Sequence, residues 1–125
     1  MKLTIAFLQL LPTQSQEGNL EKGLDACRKA KKMGAELALF PEMWNTGFVT
    51  NPRVLSKDTF NQSLQWMLAK AKETGAAICG SIATEEDDKW YNRMYFVKPD
   101  GSFVSYDKAH LFTYGGEGFE YNAGT

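Results

Sequence analysis

Two ionisable side chains follow directly on apolar, β-prone runs. Glu42 comes after Leu37-Ala38-Leu39-Phe40-Pro41, and Lys108 after Ser102–Tyr106 and Asp107. In an α/β sheet, ligands bind outside the carboxyl ends of the strands. A carboxylate at such an end, partly desolvated by Phe40, Met43 and Trp44, suits a general base. A lysine there suits stabilisation of an oxyanion. Taken singly, each has an ordinary alternative: Glu42 as a cap of the next turn, Lys108 as a surface residue. His110, the one histidine of the chain, is either an acid–base group or a hydrogen-bonding structural residue beside the lysine.

Other candidates carry less. Glu117 lies in Gly115-Gly116-Glu117-Gly118 and by itself reads as solvated. That stretch lacks the Lys-Ser/Thr ending of a phosphate loop. Cys27 falls on the apolar stripe of a helix and Cys79 in the middle of a buried strand, so both read as small core residues. The spacing of Cys and His matches no zinc template, and no metal is expected. The aromatics Trp90, Tyr91, Tyr95, Phe96, Phe103 and Tyr106 resemble a stacking platform in type, but without interleaved basic residues they read as core.

The elements that must position these groups alternate. Leu3–Leu10 reads as a strand covered on both faces, ended by Pro12. A helix follows, with Asn19 as N-cap and Glu21 in its first turn. Leu20, Leu24, Cys27 and Ala30 form its stripe, Arg28, Lys29, Lys31 and Lys32 its basic end, and Gly34 its C′ residue. Leu37–Phe40 is a second strand. Glu42 to about Lys57 is a long loop with a turn of helix, the kind of loop that often carries function. Phe60, Leu64, Met67, Leu68 and Ala71 share the face of a second helix closed by Gly75. Ala76–Ala83 is a third buried strand and Thr84–Lys89 a charged turn. Trp90–Val97 and Ser102–Tyr106 form a hairpin about Lys98-Pro99-Asp100-Gly101. The order β-α-β-α-β-β-β predicts an α/β domain whose sheet starts parallel and becomes mixed.

Composition bounds the function classes. The chain has 125 residues, so one domain at most is expected. Fourteen Lys and Arg against 15 Asp and Glu leave a net charge of −1, without the basic footprint of a nucleic-acid binder. No apolar run approaches the roughly 20 residues that span a bilayer. Two cysteines are too few for a disulfide framework, so a cytoplasmic setting is expected.

Several stretches together resemble the carbon–nitrogen hydrolase (nitrilase-like) family. They are the opening strand Lys2–Gln9, Leu37–Phe48 with its Phe40-Pro41-Glu42-Met43-Trp44-Asn45-Thr46-Gly47-Phe48, Gly80-Ser81-Ile82, Tyr91-Asn92-Arg93, and Tyr106-Asp107-Lys108-Ala109-His110-Leu111-Phe112. The Pro-Glu-Met-Trp-Asn-Thr-Gly-Phe form is most similar to the omega-amidase branch, which hydrolyses dicarboxylic monoamides of the 2-oxoglutaramate type. The resemblance implies an α-β-β-α sandwich with a Glu–Lys–Cys triad and no cofactor. Glu42 would be the general base and Lys108 the lysine of the tetrahedral intermediate. Glu117 would be a further acidic site residue, with Glu120 a weaker substitute, and Trp44 and Phe48 would line the substrate pocket. It also implies a small-molecule amide substrate and a homo-oligomer, commonly a homodimer. The family's nucleophilic Cys follows a further strand beyond the lysine motif, a position that neither Cys27 nor Cys79 occupies. Residues 1–125 are therefore expected to be the incomplete N-terminal part of such a domain, with little activity alone. The alternative is a truncated, non-catalytic relative acting as a binding module through its open sheet edge.

Overall fold

The computed structural model describes residues 1–13, 15–56 and 58–125. Five strands make one sheet in chain order: β1 (Ile5–Phe7), β2 (Leu37–Leu39), β3 (Ala77–Glu86), β4 (Lys89–Val97) and β5 (Phe103–Asp107). β1, β2 and β3 run parallel, and β4 and β5 add antiparallel. The crossovers are α1 (Gln16–Lys32) and α2 (Asp58–Thr74), and a short α3 (Glu117–Glu120) lies in the tail. The mixed α/β order expected from the alternation is thus the order found. Among the described residues no helix is long and apolar enough to cross a membrane.

The long Glu42–Lys57 loop carries the expected helical turn, a 3₁₀ turn at Pro52–Val54. Lys57 itself lies outside the described residues. The turn expected at Thr84–Lys89 is tighter than foreseen. β3 and β4 pair as far as Glu86 and Lys89, leaving Asp87 and Asp88 as a two-residue connection with φ of 53° and 61°. Two successive positive φ values match the right-handed twist of the strands they join.

Helix α1 begins earlier than Asn19. Ser15 is its N-cap, and its Oγ accepts from the Gly18 amide at 3.1 Å. Both residue types cap well. With Ser15 in that place, Asn19 falls inside the first turn and is buried. Its amide takes the Thr13 N–H on Oδ1 at 2.7 Å and donates from Nδ2 to the carbonyls of Thr13 and Asn45, both at 2.8 Å. The helix thereby holds the loop that follows β2.

Ala38, Ile78, Ile82, Tyr95 and Val97 lie on the sheet face that packs against Cys27, Met67 and Ala71 of the helices. Phe40, Trp44 and Trp66 complete that layer, with ring centroids 4.7 Å (Phe40–Trp44) and 5.0 Å (Trp44–Trp66) apart. Gly80 makes room for them: a Cβ there would stand 2.9 Å from both Phe40 Cβ and Trp44 Cδ1.

The opposite face is different. Phe7, Leu39, Cys79, Phe96 and Val104 form one row across all five strands. Phe7 is 75% and Val104 66% exposed, and Ile5, Met94 and Tyr106 on the same face are also exposed. The opening strand is therefore covered on one side, not on both. Tyr106 and Phe103 are likewise exposed rather than core. A single helix layer can cover one face of a sheet, so the chain itself supplies one helix layer and one sheet of the expected four-layer sandwich.

Candidate active site

Glu42 is held by fixed points on either side. The Phe40 amide still donates to the Cys79 carbonyl at 2.7 Å, which ties the chain to β3 one residue past β2. Pro41 has no amide to donate. Met43 then takes a left-handed φ of 50°, costing about 1–3 kcal/mol for a residue other than glycine. Its amide donates to Ser81 Oγ at 2.9 Å, and its carbonyl accepts from the Gly47 amide at 2.9 Å. The Met43 side chain is fully buried with Ala83, Trp90 and Tyr121.

That turn corrects one expectation. Trp44 does not line a pocket beside Glu42: it is 2% exposed and packs with Phe40 and Trp66 against the helices. The left-handed residue before it reverses the chain and returns the indole to the helix side of the sheet. The carboxylate is correspondingly less shielded than expected, with its side chain 49% exposed.

Lys108 follows β5 and is held through both backbone polar groups. Its amide donates to the Asn92 carbonyl and its carbonyl accepts from the Gly124 amide, both at 3.0 Å. Its ammonium donates to Glu42 Oε1 at 2.9 Å and to Glu117 Oε2 at 3.0 Å. Glu117 is far from solvated, being fully buried. Gly116, at φ 81°, ends a 3₁₀ turn and starts α3, which sets the Glu117 side chain inward. There Glu117 Oε2 also accepts from the Phe112 amide at 3.0 Å, and Oε1 accepts from Asn92 Nδ2 at 3.2 Å. Asn92 Nδ2 reaches Glu42 Oε1 as well, at 2.6 Å. Glu120 instead pairs with Arg53 at 3.2 Å on the surface, so of the two acidic candidates Glu117 is the one beside the lysine.

Asn92 belongs to the Tyr91-Asn92-Arg93 stretch, and its residue type alone suggests no reactive role. A signal was available: asparagine is depleted in strands, and this one stands between Trp90 and Met94 on the same face of β4. A buried amide in that setting needs polar partners.

Burial alone would raise the Glu117 carboxyl. The Phe112 amide, Lys108 and Asn92 outweigh it and hold the group below its ordinary value. Burial likewise works against the Lys108 ammonium, but Glu42 and Glu117 more than compensate and raise it. The two shifts give the cluster a defined pH window. The contribution of Glu117 to stability is complete above the ordinary carboxylate range and is lost as pH falls through its lowered folded value. That of Lys108 is complete below the ordinary lysine value and is lost as pH rises through its raised one. Glu117→Gln is therefore expected to flatten the acid limb of a melting temperature against pH curve. An unchanged acid slope in the variant would refute this account of the cluster.

Glu42 and Lys108 open onto a cavity of about 630 Å³ lined also by Phe48, His110, Leu111, Phe112 and Gly115. Phe48 and His110 both face this space. Tyr121 is buried with Met43, Ala83 and Trp90, its hydroxyl donating to the Val49 carbonyl at 2.7 Å, and burial followed by the charges of Glu117 and Glu42 raises its phenol. Neither cysteine belongs to the site. Cys27 is buried between the helices, where burial, eased by Lys70 and reinforced by Glu73, pushes its thiol up to about 11. Cys79 is buried in β3 and burial raises its thiol too. Among the described residues no cluster of His, Cys, Asp and Glu could hold a metal ion. The arrangement offers a half-exposed carboxylate, a fixed ammonium and a buried counter-carboxylate around an apolar-walled opening. Those groups can exchange a proton with a bound molecule and stabilise negative charge that develops on it.

Residues 4–124 match the carbon–nitrogen hydrolase family. Omega-amidase YafV of Escherichia coli (strain K12) is 35% identical over 91 residues, 73% of this chain and 35% of that protein. The 2-oxoglutaramate amidase of Bacillus subtilis (strain 168) is 32% identical over 116 residues, 90% of this chain and 44% of that one. Among solved structures, the CN-hydrolase superfamily protein XC1258 from Xanthomonas campestris superposes with a TM-score of 0.83 at 26% identity, over 98% of this chain and 44% of its own. An amidase from Nesterenkonia sp. AN1 shares the fold, with a TM-score of 0.89 at 21% identity over 99% of this chain and 50% of its own. The chain thus spans half or less of the length of these relatives.

Proposed function

The chain belongs to the carbon–nitrogen hydrolase family, and from that premise we propose that it carries the proton-transfer and oxyanion half of an amidase site of the omega-amidase type. The observation that supports this most is one ammonium, Lys108 Nζ, in contact with two carboxylates, Glu42 and Glu117, at the mouth of one cavity. The substrate is a small linear amide, best a dicarboxylic monoamide. The nucleophile is a cysteine thiol supplied by polypeptide outside these residues, since Cys27 and Cys79 lie elsewhere.

An amide is a poor electrophile, so covalent catalysis divides its hydrolysis into two easier steps. Glu42 takes the thiol proton as sulfur attacks the carbonyl carbon, and the carbonyl oxygen becomes an oxyanion beside Lys108. Glu42 then gives that proton to the nitrogen, ammonia leaves, and a thioester remains. A water attacks the thioester while Glu42 takes its proton. The second tetrahedral species expels the thiolate, Glu42 returns the proton to sulfur, and the acid is released. Lys108 meets developing negative charge in both halves. Glu117 keeps the ammonium in place from the buried side.

The test extends residues 1–125 to the relatives' length, with the C-terminal portion of the Bacillus amidase, and measures ammonia release from 2-oxoglutaramate, succinamate and neutral monoamides. Dicarboxylic monoamides are expected to be preferred by at least about tenfold in kcat/KM. A folded protein that hydrolyses none of them would defeat the reading in favour of a non-catalytic module.

A further inference from the structure

The two carboxylates beside Lys108 are bonded in different ways. Glu42 accepts on a single oxygen: Lys108 Nζ at 2.9 Å and Asn92 Nδ2 at 2.6 Å both reach Oε1, and among the described residues no donor reaches Oε2. Glu117 has both oxygens taken, Oε1 by Asn92 at 3.2 Å and Oε2 by Lys108 and the Phe112 amide, each at 3.0 Å. Asn92 and Lys108 each bridge the two acids, and the Phe112 amide adds a third donor to Glu117 alone. Asn92 Nδ2 carries two hydrogens in fixed, diverging directions, and one goes to each carboxylate. The reverse orientation of the amide would set its oxygen against two carboxylates. Asn92 is buried in β4, and its own carbonyl accepts from the Lys108 amide at 3.0 Å. One residue therefore contacts the lysine backbone and both acids at once.

We propose that Asn92 is a positioning residue that assigns the two acids different work: it turns Glu42 so that Oε2 is the oxygen that takes and returns the proton, and it fixes Glu117 as a fully bonded counter-ion outside the proton path. This rests on the amidase reading above. Removing the Asn92 donor leaves Glu42 held by the flexible Lys108 ammonium alone, which loosens its rotation about the last bond and spreads the proton between two oxygens at different distances from the reacting atoms. Loss of alignment on the scale of an ångström costs about 100-fold in rate.

Two readouts separate this proposal from the reading beneath it. In residues 1–125, the two side-chain amide protons of Asn92 are expected at distinct NMR positions. Glu42→Gln should shift one of them and Glu117→Gln the other. That result does not depend on activity, and a pair that responds to neither variant overturns the proposal. In the extended protein, Asn92→Asp keeps the shape, loses the donors and adds a like charge. It is expected to lower kcat about 100-fold with KM changed less than about threefold, and to move the acid limb of kcat to higher pH. Asn92→Ser, whose one hydroxyl hydrogen cannot serve two acids, should lower kcat similarly without moving that limb, and it decides the matter if the aspartate variant does not fold. A folded variant with wild-type kcat and acid limb overturns the positioning role while leaving the amidase reading intact. An extended wild type without activity defeats that reading, and the NMR experiment then decides the positioning role alone.

Discussion

Residues 1–125 by themselves are expected to release no ammonia from any amide above the uncatalysed background, whereas the same residues extended to the relatives' length are expected to turn over at an ordinary enzymatic rate of about 1–1,000 per second. The difference follows from what the site contains. Glu42, Lys108 and Glu117 can move a proton and meet an oxyanion, but none of them replaces a soft nucleophile against an amide carbon. Cys27 and Cys79 do not substitute. Burial pushes the Cys27 thiol up to about 11, which disfavours the thiolate at neutral pH. Catalytic groups of this kind act as a unit, and loss of the nucleophile removes on the order of a million-fold of rate together with the help the other groups give it. The measurement is ammonia release by the purified 125-residue chain beside the extended one. Turnover by the short chain that survives Cys27→Ser and Cys79→Ser would end the thioester mechanism.

In the extended protein, Lys108→Met is expected to reduce kcat/KM by about 1,000-fold. Glu42→Gln is expected to reduce it by about 100- to 10,000-fold. The double variant should be little worse than the poorer single one. Lys108 Nζ and Glu42 Oε1 are 2.9 Å apart, so each is part of the other's environment, and effects of touching residues do not add. Methionine preserves the aliphatic stem of the lysine while removing its charge. It also leaves the buried Glu117 carboxylate without its cationic partner, so the Lys108→Met protein should melt earlier, and more so at neutral than at acid pH. Kinetics of the two single variants and the double variant form the cycle that checks this. Full multiplicative loss would mean that the lysine and the glutamate act independently.

Much of this arrangement can be read from local chemistry. Pro41 after an apolar run marks the end of a strand, and Lys-Pro-Asp-Gly marks a hairpin, so the placement of Glu42 and Lys108 at strand ends follows from neighbours within a few residues. Where the determinants are distant, the reading goes astray. Glu117 sits among glycines and looks solvated. Its burial depends on Asn92, 25 positions away in the chain, and on Lys108, 9 positions away. The resemblance implies that Trp44 lines a pocket. A left-handed Met43, which no local propensity favours, sends it to the helix side instead. The cap of α1 moves from Asn19 to Ser15 for a similar reason: a buried network with Thr13 and Asn45 claims the asparagine side chain. The run around β1 is apolar enough for two covered faces, and the chain itself brings a layer to only one of them.

The double tether of Lys108 makes local breathing of the cleft cooperative. Its amide is bound to the Asn92 carbonyl and its carbonyl to the Gly124 amide, while the Asn122 amide is bound to the Trp90 carbonyl at 2.7 Å. Opening of the tail therefore removes one of the two backbone bonds that hold the segment presenting the ammonium. Fluctuations at the rim and the fidelity of charge placement become a single property, so stiffening this short seam should sharpen the reactive geometry without any change to a reactive group.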